Sequence, residues 1–573
     1  MLRRDFLRQG ALIGAALSTG CVSDDATPTA PGKGQPLIDA HCHVFNASDL
    51  PTTRFLRQVV FENYPEQSFR VMGVWDPDAT DVAIELALRL LGTNTAPDAD
   101  QEIRVLTNKA HAETTAANRE QARQAAVEDM ARFLVEIDSR NRNRGPATMG
   151  AAGEHDAAPP ESGETKFLDF VIEGKAGSAR PSATAPLTMT EARAASARAF
   201  IDLGMFSRYL EWFSLFRLYR HVLVDQLVAD ARRQGFEPLM LTPLLVDYDE
   251  WLFEDVRTPL AKQMEVMDYV SRRPGDRPAV HGYIGFDPLR EVAFRANIKG
   301  TVSSLATARK ALSEHGFVGV KLYPPMGFRP SGNHKPYPKR TEKRLGFRPD
   351  KQLDQALDDL YKLCVELDAP IMAHGYSSNG SGRDYADRGD PAYWLPVFRK
   401  YPSLRVCVAH FGRFDARSAG RTQPFPDGSW EWTLGEFVRD NSRQPVFADI
   451  SYFSEALETE NKRAPLAQYF QRWVSEFDPE VDHLVFGTDW IMLGREKGYS
   501  HYIESVNSFL RQDCGFGDDV CDKIFRRNAL RLLPLQRWSK GRERLLAWYR
   551  RNGVDPKRLP ISPSGVFAGL MGD

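Results

Sequence analysis

Apolar residues along the chain gather in short runs, each about as long as a strand. Residues 37–44, 239–246, 280–286, 317–323, 371–374, 404–410, 446–450 and 484–489 make eight candidate strands. Between the later runs the apolar positions change to helical spacing. The clearest case is Leu353, Ala356, Leu357, Leu360, Tyr361, Cys364 and Leu367. It ends at Asp368-Ala369-Pro370, where the proline stops the helix and opens the next strand. Residues 301–315, 390–400, 466–477 and 501–511 follow the same pattern. Strands alternating with helices predict parallel βα units. Eight such units, with no Gly-rich dinucleotide loop after the first strand, predict an α/β fold closed as a (β/α)8 TIM-type barrel rather than an open doubly wound sheet.

The gap after the first strand breaks this rhythm. About residues 60–235 read as a large helical insertion, with helical patterning over 101–138 and 188–233. Between those stretches, 142–165 is rich in Gly, Pro, Ala and charge and reads as a disordered loop. A helical cap beside the barrel mouth is the expectation. After the fourth strand, 327–350 carries Arg329, Lys335, Lys339, Arg340, Lys343, Arg344 and Arg348. Such runs are usually solvated, but this one stands above the predicted mouth, where it can attract an anionic substrate. The barrel is expected over 37–533, and 534–573 as a C-terminal helix and tail.

Composition narrows the function classes. A chain of 573 residues can be one barrel with insertions. A net charge of −2 leaves no global basic field, so nucleic acid is not an expected partner. Arg3-Arg4-Asp5-Phe6-Leu7-Arg8 precedes an apolar run, 11–17, and small residues lead on to Cys21, which predicts an export signal over 1–21. The run is too short to cross a bilayer as a mature helix. Its arginine pair resembles a twin-arginine (Tat) signal. Ser18-Thr19-Gly20-Cys21 resembles a lipoprotein lipobox, with Ser18 where an aliphatic residue is usual, so a lipid anchor on Cys21 and ordinary export both stay open. Either way the expected location is the periplasm, or membrane-anchored on the outer side of the inner membrane or at the outer membrane. Residues 22–36 read as a flexible tether. Cys42, Cys364 and Cys407 read as core filling, and Cys514 and Cys521 as either a disulfide or free thiols.

The chemistry gathers at the C-terminal ends of the strands, where barrel enzymes build their sites. The first strand ends His41-Cys42-His43, and residues two apart in a strand face the same way. Two converging neutral imidazoles suit a borderline divalent ion such as zinc. Alone, His-x-His is a weak signal. Here 370–374 runs apolar into His374, 406–410 into His410, and 484–489 into Asp489.

The set Ile-Asp-Ala-His41-Cys-His43, Gly-Val-Lys321-Leu-Tyr-Pro, Ile-Met-Ala-His374-Gly, Val-Ala-His410 and Phe-Gly-Thr-Asp489 resembles the amidohydrolase superfamily. It is most similar to the branch that includes aminocarboxymuconate semialdehyde decarboxylase and related metal-dependent hydrolases, and Phe525-Arg-Arg-Asn528-Ala529 resembles that branch's closing helix. The resemblance covers roughly 37–43 and 239–533, and neither the insertion nor the tail. It implies one divalent metal ion, with zinc expected, on His41, His43, His374 and Asp489. It also implies catalytic roles for His410 and Asp489: Asp489 takes a proton from metal-activated water while His410 polarises the substrate carbonyl.

Lys321 is ambiguous. In some branches the fourth-strand lysine is carboxylated and bridges a second metal, whereas in the branch resembled here one metal is usual. A structural ion pair or a contact to a substrate carboxylate is therefore expected. Asp39, Asp247, His281, Asp287 and Asp449 read equally as partners that orient metal-bound imidazoles or as structural groups. Trp490, Tyr376 and Arg413 read as pocket lining or as packing. The implied function is a metal-dependent hydrolase acting on an amide, ester or lactone carbonyl of a small molecule. A non-oxidative decarboxylase with the same site is the alternative, and an exported metal-containing binding protein without turnover is the rival from another class.

Overall fold

The computed structural model describes residues 34–62, 77–108, 211–334, 339–376, 385–412 and 429–561, with 121–126, 128–129, 132–133, 136, 337, 378 and 380–382. The export signal, Cys21, most of the tether, the loop 142–165, Lys335 and Arg413 lie outside the described residues. Among the described residues no helix is long and apolar enough to cross a membrane.

Contacts divide the chain into two compact units. The first takes in 60–96 and 117–218. Its described part includes the helix Pro77–Leu91, whose last turn is tied down by Arg217 donating to the Leu90 carbonyl at 2.9 Å.

The second unit, 32–59, 97–116 and 219–573, holds every strand among the described residues. Strand β1 is Gln35–Cys42 and β2 is Phe236–Pro243. β3 is interrupted: Ala279–Val280 pairs with β2, Tyr283–Gly285 pairs with the next strand, and Leu244 bridges to Tyr283. There follow β4 (Gly319–Leu322), β5 (Ile371–His374), β6 (Val406–Ala409), β7 (Val446–Asp449) and β8 (Leu484–Val485), each pairing in parallel with its predecessor. The ring closes where the Ala40 amide donates to the Phe486 carbonyl (3.1 Å) and the Asp489 amide to the His41 carbonyl (2.7 Å). Asp39 reinforces the seam by accepting from the Thr488 amide (3.0 Å) and hydroxyl (2.6 Å). This is the predicted eight-strand TIM-type barrel, with several segments, the last above all, regular over fewer residues than the apolar runs suggest.

Helices follow the strands as the periodicity predicts, with shifted ends. Asp350–Glu366 buries Leu353, Ala356, Leu357, Leu360, Tyr361 and Cys364. Ser303 caps Ser304–Glu314, and Asp287, with Pro288 in the first turn, caps Pro288–Arg295. The run 390–400 is instead a 3-10 turn, Pro391–Tyr393, before the short helix Leu395–Lys400, because Pro391 and Pro396 restrict its first turns. Residues 501–511 form Tyr502–Ser508 and then a π-helical turn.

The tail is more than an appendage. Helix Lys540–Asn552 buries Leu545, Trp548 and Tyr549 in one cluster with Ile38, Met240, Val318 and Met372. Arg544 donates to the Leu312 (2.6 Å) and Val318 (2.9 Å) carbonyls, so this helix closes the end of the barrel where the strands begin. His281 belongs here too. It is hydrogen-bonded to the Gly316 carbonyl (2.7 Å) and the Tyr549 hydroxyl (2.8 Å), which settles it as structural.

Parts of the long insertion also belong to the barrel's own unit. Helices Ala99–Thr107 and Arg220–Arg233 meet the segment after β1 through a wholly buried cluster. Arg220 pairs with both Glu102 and Asp49, its amide donates to Glu102 at 2.8 Å, and Asn46 donates to Glu102 at 3.1 Å. Burial pushes the Glu102 carboxyl up to about 7, against the pull of Arg220. Removing the one cation would strand two carboxylates. Arg220→Met should cost about 3–5 kcal/mol, the usual penalty for breaking a buried pair. Urea unfolding checks this, and a midpoint unchanged from wild type would contradict it.

Candidate metal site

At the other end of the barrel the strands deliver their polar residues. His41 and His43 leave β1 on the same side, and both are buried. Asp489 follows β8 and His410 follows β6, with backbone φ of 53° and 59°. Such left-handed conformations are uncommon outside glycine and cluster at functional sites. Gly487 is needed at the seam: a Cβ there would lie 2.5 Å from the His41 Cβ.

Three ligand atoms converge. Asp489 Oδ1 lies 3.3 Å from His41 Nε2 and 3.1 Å from His43 Nε2, and the three side chains form a buried group that could hold a metal ion. The opposite nitrogens are committed elsewhere. His43 Nδ1 donates to the Leu244 carbonyl at 3.0 Å, and His41 Nδ1 meets Asp449 Oδ2 at 2.8 Å. Burial is the main cause that holds the His43 imidazole below its ordinary pKa, so the ring is neutral at pH 7. A neutral ring that donates from Nδ1 has only a lone pair on Nε2. That lone pair faces a carboxylate oxygen: two acceptors at contact distance in a buried space. A cation between them removes the conflict, and His41 Nε2, buried without a hydrogen-bond partner, points to the same need.

His374 and His410 stand beside this trio. His410 Nε2 is 3.1 Å from His374 Nδ1, and the His374 Nε2 is 2.7 Å from the Ser378 hydroxyl. His374 therefore lies in the site but outside the three-residue group. His410 rests on Ser451, its Nδ1 2.9 Å from the hydroxyl, and its amide donates to Asp449 at 2.8 Å. Burial, the largest influence, pushes the His410 imidazole down to about 4, so it is uncharged at neutral pH.

Asp449 ties the cluster together. It accepts from His41, the His410 amide and the Ser451 amide, and His41 is the main favourable influence that holds its carboxyl far below the usual range against burial. In the sequence Asp449 fits equally a partner of a metal-bound imidazole or a structural group, although 446–449 runs apolar into a carboxylate just as 484–489 does. Asp247 is instead paired with Arg290 (2.6 Å), and Asp287 accepts from the Trp251 indole (2.8 Å). Trp490 is buried, and Tyr376 sits edge-on to His374. Cys514 and Cys521 are free thiols.

A cavity beside the histidines is lined by Leu245, Tyr248, Phe286, Lys321, Tyr323 and Met326, among others. Tyr323 packs on His374 at 4.5 Å between ring centroids, so the cavity adjoins the site. The expected ion pair at Lys321 is not found: among the described residues its ammonium has no carboxylate partner. The basic run of 327–350 is engaged elsewhere, with Arg344 paired to Glu250 (2.8 Å), Arg348 to Asp350 (3.0 Å) and Arg329 over Tyr393. Among the described residues its basic side chains do not line the cavity, although Phe328 does.

Residues 265–535 match the family model described as amidohydrolase. No curated protein matches the chain. Solved structures similar to it include a probable 2-pyrone-4,6-dicarboxylic acid hydrolase from Acinetobacter baumannii, 12% identical, covering 54% of this chain and 88% of that one at a TM-score of 0.32. An amidohydrolase from Burkholderia multivorans is 11% identical over 56% and 90% (TM-score 0.34). Dihydroorotase from Campylobacter jejuni is 12% identical over 55% and 80% (TM-score 0.30).

Asp449 touches His41 on the side away from Asp489, so its loss should loosen the group without emptying it. If the group holds a divalent ion, Asp449→Ala should weaken its binding by about 10–100-fold, the usual effect of deleting a carboxylate behind a ligating histidine. Equilibrium dialysis measures this, and wild-type affinity in the variant would make Asp449 purely structural.

Proposed function

From the amidohydrolase match of residues 265–535, which supports that superfamily, we propose that the chain is a metal-dependent hydrolase of small molecules that carry an amide, ester or lactone carbonyl. The observation that carries the reading is the confrontation of two imidazole nitrogens with Asp489 in a buried space that adjoins a cavity.

His41, His43 and Asp489 would hold one divalent ion, zinc by the chemistry of the donors. His374 would complete the set by exchanging one of its two hydrogen bonds for the ion. When bound, the ion supplies Lewis acidity and water acidic enough to react at neutral pH. Asp489, whose Oδ1 would face the ion, would receive the proton of the attacking water. His410, neutral and seated on Ser451, donates a hydrogen bond to the substrate carbonyl and takes up charge as it develops. The residues would serve a decarboxylase equally, and product analysis separates the two reactions. A binder without turnover leaves His410 with no task. The arginine pair and apolar run of the N-terminus support an exported enzyme, with Cys21 as its anchor if the lipobox is processed.

A panel of amides, esters, lactones and carboxylic acids identifies the reaction. With a substrate in hand, His410→Asn should keep metal and thermal stability while turnover falls about 10²–10⁴-fold, the contribution of a positioned acid–base group. Metal loss in this variant would make His410 a ligand, and unchanged turnover would make it a core histidine.

A further inference from the structure

The end of the barrel opposite the histidines carries a surface that neither the fold nor the proposed chemistry uses. Residues 536–561, which include the closing helix Lys540–Asn552, hold eight lysines and arginines against two acids, a net of +6 in a chain whose total is −2. Four of the eight hold the tail in place. Arg544 binds carbonyls at the barrel floor, Arg551 donates to the Glu314 carbonyl at 2.7 Å, and Arg558 to the Arg273 (2.9 Å) and Pro278 (3.1 Å) carbonyls. Arg542 donates to the Pro560 carbonyl at 2.8 Å and the Leu535 carbonyl at 3.3 Å, which draws residues 535 and 560 to the start of the helix.

The other four, Arg537, Lys540, Arg550 and Lys557, are exposed, and among the described residues no hydrogen bond or ion pair engages their side chains. Exposed lysines at the opposite end are paired, as Lys262 is with Glu265 and Lys462 with Glu458. Trp538 stands between Arg537 and Lys540 with 62% of its surface exposed, the most of any large apolar side chain among the described residues. Ile561, 51% exposed, follows Pro560 to the same place. An exposed indole set among unpaired cations suits the boundary of an anionic bilayer, with the ring at headgroup depth and the cations on the phosphates.

The course of the chain points the same way. All the parallel strands begin at this end, so residue 34 leaves the barrel here, beside the bond from the Gln35 amide to the Gly235 carbonyl (2.9 Å). Residues 22–33, which separate it from Cys21, can span at most about 40 Å. With an acyl group on Cys21, this face would turn to the bilayer and the histidine group would open away from it. We propose that Arg537, Trp538, Lys540, Arg550, Lys557 and Ile561 form a docking surface for an anionic phospholipid bilayer, independent of any acyl anchor and of the reaction at the other end.

Cosedimentation of the full chain carrying Cys21→Ser, which cannot be acylated there, tests this on vesicles of phosphatidylcholine with or without phosphatidylglycerol. The signal segment is the same in every sample, so differences among variants read this face alone. The chain should bind the anionic vesicles more tightly than the neutral ones. Arg537→Gln with Lys540→Gln should weaken that binding about 25-fold, a factor of about five for each basic residue removed. Trp538→Ala, which leaves the charge alone, should weaken it about fivefold, for roughly 40 Å² of ring surface left in water. Lys262→Gln with Lys462→Gln removes the same charge from the first turns of helices at the opposite end, and should change binding by less than about twofold because that end lies beyond the reach of the screened field. Circular dichroism checks that each variant is folded. Equal losses in the two double variants would mean that binding follows net charge alone, and would overturn the proposal. Equal affinity for neutral and anionic vesicles would overturn it too, as would binding that survives both the Arg537/Lys540 pair and Trp538→Ala.

Discussion

A parallel barrel can use residues from both ends of its chain only if the last strand closes on the first. Here that closure and the site are the same set of atoms. The backbone bond from Asp489 to the His41 carbonyl joins β8 to β1, and it brings the Asp489 carboxylate to the two imidazoles of β1. Asp39 locks the seam through Thr488, one residue before Asp489, and Gly487 leaves room for His41. Anything that opens the seam scatters the ligand group. Stability of the fold and integrity of the site are coupled at this one place.

The electrostatics follow from burial. Each histidine is fixed by its outward nitrogen: His41 by Asp449, His43 by the Leu244 carbonyl, His410 by Ser451. With its bond to Leu244 made, the neutral His43 turns a lone pair toward Asp489, an arrangement that costs energy until a cation enters. The site is thus short of positive charge between His41, His43 and Asp489, a deficit that a bound metal would answer.

Much of this was legible in the sequence, because apolar runs ending in His or Asp mark both a strand and the face it presents. All eight strands are marked that way, and so are the four ligand candidates His41, His43, His374 and Asp489, of which the fold brings His41, His43 and Asp489 into one group. What escaped was set by contacts that no local pattern encodes. Asp449 ends an apolar run like Asp489, but only the fold shows it behind His41. The break in β3 at His281 follows from packing against Gly316 and Tyr549, far along the chain. The helix Lys540–Asn552 looked peripheral because its charged face dominates its composition, while Leu545, Trp548 and Tyr549 complete the barrel floor. The helices bordering the insertion joined the barrel's unit through Arg220, a residue whose burial depends on Glu102 and Asp49 together.

The claim on which the rest depends is that His41, His43 and Asp489 are built to hold a cation. Elemental analysis of the full chain, purified without chelator, tests it most directly when repeated on His41→Ala and Asp489→Ala. The account predicts one divalent ion per wild-type chain and its loss from both variants while each retains its helical circular dichroism. Full metal occupancy in the two folded variants would contradict it.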